Sequence, residues 1–530
     1  MRSGRRGIAL LAALVLVLAA GCARVSSPAA NQYRDPALVH IAAGTLRGTV
    51  ASDHRLFAGI PYAAAPVGAL RFAPPAPVIG WTGERDATQP GPRCIQDPSA
   101  DPEHGRNTAE DCLTLNVWTP PIADQPRPVM VWIHGGAFAN GSSGIYDARR
   151  LAARGDIIVV TINYRLGTLG FLAHPALGAG GDVGNYGLAD QQAALRWVRD
   201  NIADFGGDPE MVTVAGESAG GMSVCDHLAA PGSAGLFRAA ILMSAPCQAQ
   251  AGLDVATRRS VDYAAVAGCA EPATAAACLR SLPLDKLRKP VWYFNIGSDE
   301  LTGPVTGTPL LPKAPPTAFS SGDAAAVPVL IGTTRDEFTL FVALRYLREH
   351  QSFSPADYPR LLVETFGADA AKVGTHYPAE RYGGVAQAYS AAVTDSMFAC
   401  ESDRLADALS RTGPVYAYEF NDRHAPAPDV LRTLPFPVGA SHSLELRYLF
   451  DVGGAPPLDP AQQKLSDQMI DYWSAFVRTG EPAVDGQPAW PEFDGASMPT
   501  RMSLQTDGSR MMDGYRQEHQ CPFWAGLKGR

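Results

Sequence analysis

The sequence predicts an α/β fold in which a central, mostly parallel sheet is covered by helices on both faces. Three observations carry that expectation. Short apolar runs at residues 157–162, 211–215, 240–243 and 327–331 have the length of buried strands. Longer helical patterns such as residues 188–202 lie between them, and strands that alternate with helices pair in parallel. No Pro/Gly/Ser linker, charge block or internal repeat divides the interior of the 530 residues, so residues 37–530 read as one large domain.

The N-terminus stands apart from that domain. Arg2, Arg5 and Arg6 precede an apolar run at residues 8–20, too short to span a bilayer comfortably, which ends in Ala19, Ala20, Gly21 and Cys22. Residues 1–21 therefore read as a signal peptide. Small residues before a cysteine resemble a bacterial lipobox, which implies Cys22 as the lipidated first residue after cleavage. Ala19 stands where leucine is commonest, and ordinary signal-peptide cleavage near the same place is the alternative. The polar residues 22–36 then form a flexible tether.

Within the domain, the apolar run 211–215 feeds directly into Gly216-Glu217-Ser218-Ala219-Gly220. A serine on a sharp turn between strand and helix projects its hydroxyl from the backbone, and flanking glycines are required because a Cβ at either place would clash. Ser218 is the expected nucleophile. A hydroxyl is too weak an acid to attack unaided, so a base, an orienting acid and an oxyanion hole must lie elsewhere. VMVWIHGGAF at residues 129–138 is an apolar strand ending in a small-residue loop. Its Gly136 and Ala137 amides, with that of Ala219, are the expected oxyanion donors. VPVLIGTTRDEF at 327–338 ends a second strand with Asp336 and Glu337, and GASHSLELRYLF at 439–450 presents His442 on a loop. The order serine, acid, histidine is that of an α/β-hydrolase sheet. An unperturbed histidine titrates at roughly 6.5, which sets the expected range for the base.

FAGIPYAAAPVGALRF (57–72), AEDCLTLNVWTP (109–120), NYRLGTLGFL (163–172), NYGLADQQAALRWVRDNIADFGGDP (185–209) and MIDYWSAFVRTGEP (469–482) add to these motifs in order along the chain. Together they resemble the type-B carboxylesterase and cholinesterase family. The resemblance implies a serine carboxylic-ester hydrolase whose triad is Ser218, Glu337 and His442, with Gly136, Ala137 and Ala219 as oxyanion donors. It selects Glu337 over the neighbouring Asp336, which chemistry alone does not. It also implies disulfides Cys94–Cys112, Cys269–Cys278 and Cys400–Cys521, leaving Cys225 and Cys247 as either a fourth bridge or buried thiols. Ala137, Phe338 and Ser443 stand where glycines are frequent in the family, and each is expected to reshape the substrate pocket. In the family a tryptophan between the first two cysteines helps to hold choline; residues 95–111 contain no Trp, Tyr or Phe, so uncharged esters are the expected substrates. An amidase or acyltransferase using the same triad is the alternative, and a non-catalytic adhesion relative is disfavoured because all three triad members are present.

Composition narrows the partners. Lys and Arg number 44 against 53 Asp and Glu, a net charge of −9, and loss of the arginine-bearing leader makes it more negative. No basic patch for nucleic acid or anionic lipid emerges, so membrane attachment is expected through the lipid anchor alone. No metal-ligand spacing or dinucleotide fingerprint is found, and no metal or cofactor is expected. Six paired cysteines suit an oxidising compartment outside the cytoplasm. The Pro-rich residues 303–316 read as a surface or rim loop.

Overall fold

An eleven-stranded mixed sheet organises the computed structural model, which describes residues 35–98, 107–178, 181–297, 299–495 and 500–527. In chain order its strands are β1 (Thr49–Val50), β2 (Arg55–Pro61), β3 (Thr114–Thr119), β4 (Arg127–Ile133), β5 (Ile158–Ile162), β6 (Gly207–Glu217), β7 (Ala239–Met243), β8 (Val329–Thr334), β9 (Val415–Phe420), β10 (Arg501–Leu504) and β11 (Arg510–Met512). Across the sheet they run β11-β10-β9-β8-β7-β6-β4-β5-β3-β2-β1. Every pairing from β5 to β10 is parallel, and antiparallel strands close both edges. The register brings the strand ends level: Gly216 pairs with Ile133, Glu217 with Met243, and Met243 with Gly332. Loops leaving these carboxyl ends converge on one crevice, where open α/β sheets bind ligands.

Apolar residues fill both faces of the central strands, as parallel strands require. Val129, Val131 and Ile133 of β4 point into one core with Val212 and Val214 of β6. Met130 and Trp132 point into the other with Ile241, Leu330 and Tyr418. Helices α1 (Tyr186–Asn201) and α2 (Ala219–Ala229), on either side of β6 in the chain, cover the first face with Leu195, Val198, Val224 and Leu228. Helix α3 (Pro460–Thr479) covers the second with Met469, Trp473 and Phe476. Asp459 and Gln462 form a capping box at the start of α3, and Gly480 ends it at φ 83°.

Pro36–Arg530 forms one compact unit. The signal peptide, Cys22 and nearly all of the tether lie outside the described residues. Among the described residues, no helix is long and apolar enough to cross a membrane.

The Pro-rich segment is in part the surface loop expected from the sequence, with Gly307, Pro309, Pro312 and Lys313 exposed, but Val305, Thr308 and Leu311 are buried. Asn185 supports the buried stretch: its amide donates to Val305 O and accepts from Val305 N, both at 2.8 Å, and so imitates a neighbouring strand. Backbone groups satisfied this way can leave the surface.

Cys94–Cys112, Cys269–Cys278 and Cys400–Cys521 are bonded as the family resemblance implies, and Cys225 pairs with Cys247 as a fourth bridge. This fourth bridge ties α2 to the segment after β7, with Cα atoms 6.0 Å apart. Peptide mapping without reduction is expected to recover a Cys225–Cys247 cross-link. Replacing both cysteines by serine should lower stability by on the order of 3 kcal/mol, read by denaturant unfolding. Alkylation of either thiol in the unreduced protein would contradict the pairing.

Candidate active site

β6 enters the site through a turn that ordinary backbone does not adopt. Ser218 sits at φ 58°, ψ −124°, a conformation that costs a non-glycine residue on the order of 1–3 kcal/mol. Its amide donates to Met243 O at 2.9 Å, and its carbonyl accepts from Met222 N at 2.8 Å, so strand β7 and helix α2 both clamp it. The glycines beside it are sterically compulsory. A Cβ on Gly216 would lie 2.4 Å from the Gly220 backbone, and one on Gly220 would lie 1.9 Å from Ile133 O. Ser218 is partly exposed between the buried Glu217 and Ala219.

The loop after β4 faces this turn. Gly136 has φ 108°, and the two side-chain-bearing residues after it, Ala137 and Phe138, also take left-handed values of 55° and 56°. The loop folds back because Gly136 O accepts from Ala139 N and Asn140 N, both at 3.0 Å. Gly136 and Ala137 stay partly exposed, and among the described residues their amides donate to no protein group. Ala219 opens α2, so its N–H has no carbonyl one turn back within the helix. These are the three amides that the sequence reading expects to serve as oxyanion donors.

The two carboxylates at the end of β8 separate cleanly. Asp336 makes a two-pronged ion pair with Arg423, both contacts at 2.9 Å, and accepts from Ala440 N at 2.9 Å. It braces the loop that carries the histidine. Glu337 is wholly buried; Oε1 accepts from Thr334 N at 2.8 Å, and Oε2 lies 2.6 Å from His442 Nδ1. His442 N also donates to Glu337 O at 3.3 Å. Nε2, the ring nitrogen away from Glu337, is buried without a hydrogen bond. Phe341 and Phe398 flank the ring at 5.2 and 5.6 Å.

Two carboxylates near the ring, Glu217 and Glu445, were missed in the sequence, and two residues named there, Phe338 and Ser443, act through neighbours. Glu217, within the elbow motif, places Oε1 3.1 Å from His442 Nε2, off the line a hydrogen bond needs, and accepts from Ser443 Oγ at 2.6 Å. Ser443 therefore orients a carboxylate. Phe338 is buried and stacks on Phe341 at 4.9 Å, so it reaches the histidine only through that ring. Glu445 is fully buried with neither carboxylate oxygen bonded. Burial, reinforced by Glu217 and Glu337, pushes its carboxyl well above the ordinary range, toward the neutral acid. Burial also raises Glu217, against the pull of His442 and the Ser443 hydroxyl.

Electrostatics shift the histidine away from its free value. Burial alone would lower His442, but Glu217 and Glu337 outweigh it and push the imidazole up to about 9. His134, on the oxyanion loop, contrasts with it: burial lowers its pKa to about 4 and its ring stacks on Tyr164 at 4.4 Å. It remains neutral and structural. An NMR titration of His442 is expected to give a midpoint above the roughly 6.5 of a free histidine. Glu217→Gln removes a buried negative charge that attracts the imidazolium, so the midpoint should move down. An unmoved midpoint would show that Glu217 does not act on this ring.

Comparison with known proteins agrees with this geometry. The pattern of the carboxylesterase family matches residues 35–524. A para-nitrobenzyl esterase of Bacillus subtilis is 36% identical over 466 residues, covering 85% of this chain and 91% of its own. A cocaine esterase of Homo sapiens is 33% identical over 504 residues, covering 88% and 86%. A fumonisin B1 esterase of Sphingopyxis macrogoltabida is 34% identical over 525 residues, covering 92% and 89%. With the sheet, the strained serine turn and the matching span together, the chain belongs to the carboxylesterase family of α/β-hydrolases and is a carboxylic ester hydrolase.

Proposed function

We propose that this esterase works through a Ser218–His442–Glu337 triad and a covalent acyl-enzyme on uncharged carboxylic esters. The observation that carries the reading is the 2.6 Å contact from Glu337 to His442 Nδ1, which leaves Nε2 unengaged beside the serine turn. Nε2 takes the Ser218 proton as Oγ attacks the ester carbonyl. The amides of Gly136, Ala137 and Ala219 receive the negative charge that develops on the carbonyl oxygen. The proton then passes to the departing alcohol, leaving an acyl-serine. Water repeats the sequence in reverse, losing its proton to Nε2 and releasing the acid. The carboxylates that raise His442 favour the imidazolium present in both transition states.

The names of the relatives refer to unlike esters, which supports the shared hydrolysis and selects no single substrate. The absence of Trp, Tyr and Phe from residues 95–111 favours uncharged over quaternary-ammonium esters. Four disulfides suit an extracytoplasmic setting. The Ala-Gly-Cys at residues 20–22 supports a lipid anchor on Cys22, each buried CH₂ contributing about 0.8 kcal/mol to membrane attachment.

Ser218→Ala is expected to cut nitrophenyl ester turnover by a factor on the order of 10⁵ to 10⁶ and to abolish organophosphate labelling without loss of the fold. Labelling that persists would reassign the nucleophile. Wild-type protein expressed in a bacterial host should sediment with membranes and resist salt extraction, whereas Cys22→Ser should be soluble or retained as precursor. A freely secreted wild-type chain with an N-terminus beyond residue 22 would rule out the anchor.

A further inference from the structure

One cluster of buried titratable groups lies outside the triad. His519 is buried, with Nδ1 2.6 Å from Asp395 Oδ1 and Nε2 2.5 Å from Glu419 Oε1. Both ring nitrogens face carboxylates, and an imidazolium donating from both satisfies the two contacts at once. Burial alone would lower the imidazole, yet Asp395 and Glu419 outweigh it and push it up to about 10. The remaining groups around it complete the network. Tyr377 donates its hydroxyl proton to Asp395 at 2.8 Å, Arg335 lies 3.6 Å from Glu419, and the Tyr515 ring lies 4.6 Å from the imidazole.

The partners of this C-terminal segment, residues 515–524, bracket the turn that carries Glu337. On one side, Tyr515 OH lies 3.0 Å from Thr333 Oγ1 and donates to Ala399 O at 3.1 Å. At the next position but one, Glu518 pairs with Arg335 at 2.8 Å. On the far side, Phe338 N donates at 2.9 Å to Oγ1 of Thr394, the residue before Asp395. Asp395 also begins the π-helical turn Asp395–Ala399, which lays Phe398 against the His442 ring. The segment is anchored independently by Cys400–Cys521 and by Arg516, which contacts Asp403 at 2.6 Å.

We propose that His519 is a positioning residue, which holds Asp395 and Glu419 together and thereby fixes the 333–338 turn so that Glu337 meets His442. This rests on the reading of Glu337 as the acid of the triad. The segment touches none of the reacting atoms. It acts by setting where one carboxylate oxygen stands. A base that loses its orienting carboxylate loses both geometry and basicity, and a misplacement of about 1 Å costs up to about 10²-fold in rate. Removing the His519 cation leaves two buried carboxylates without their shared partner, and they separate.

The test compares His519→Gln with wild type in purified, oxidised protein. The expected result is a kcat lower by about tenfold or more with KM changed by less than about twofold. The acid limb of the pH–rate profile should move to lower pH, because an imidazole less well met by Glu337 is less basic. Peptide mapping should still show Cys400–Cys521. Glu518→Gln, at a side chain 43% exposed, is the milder variant and should shift kcat and the acid limb in the same directions by less. If His519→Gln fails to accumulate, Glu518→Gln decides alone. Unchanged kcat and acid limb with only a lower Tm, or a change confined to KM, would overturn the proposal and leave His519 as a stabilising group. Ser218→Ala assayed beside these variants separates the two claims. An active Ser218→Ala breaks the triad reading itself, whereas an inactive Ser218→Ala with wild-type behaviour in both C-terminal variants removes only the positioning role.

Discussion

The closeness of Gly220 to the carbonyl of Ile133 is the constraint on which the site depends. There is no room for a methyl group between α2 and the end of β4. That contact lets the helix begin immediately after Ser218 and turns the serine's backbone into the strained conformation that exposes its side chain. It also sets the Ala219 amide beside the loop that carries Gly136 and Ala137. The strain is held by hydrogen bonds to Met243 and Met222, elements buried in the core, so the sheet's interior stabilises what the turn costs.

Around the histidine the balance is electrostatic. Glu217, Glu337 and Glu445 are all buried near one imidazole, and they differ in what they are given. Glu337 receives a backbone N–H and the ring nitrogen, Glu217 receives a hydroxyl, and Glu445, with neither oxygen hydrogen-bonded, is pushed well above the ordinary carboxylate range. Three like groups thus differ through their hydrogen-bond partners and the charges around them. A site holding all three as anions would repel itself; one with none would give the imidazolium little to lean on.

How much of this was legible in the chain follows from where each constraint originates. The serine turn has a local steric cause, so its glycines declare it. The sheet is legible because its buried strands are short apolar runs. The choice between Asp336 and Glu337 depends on Arg423 and Ala440, far along the chain, and only the family register resolved it. The Cys225–Cys247 bond depends on how α2 meets the end of β7, which no spacing rule encodes. Glu217 stood in plain view but occupies a motif position read as a spacer, and Glu445 lies one helical turn past His442. The partial burial of the Pro-rich segment involves Asn185, a distant side chain that pairs with Val305 as a strand would. Nothing in the sequence around His519 marks it, because both of its partners come from other elements.

The disulfide between Cys400 and Cys521 joins residues 121 positions apart. A chain leaving the ribosome N-terminus first presents the Ser218 turn, then β8, and only much later the segment that closes against Arg335 and Thr333. The turn at residues 333–338 therefore acquires its Tyr515 and Glu518 partners only once residues 515–518 have been made, and a folding chain must hold that turn without them until then.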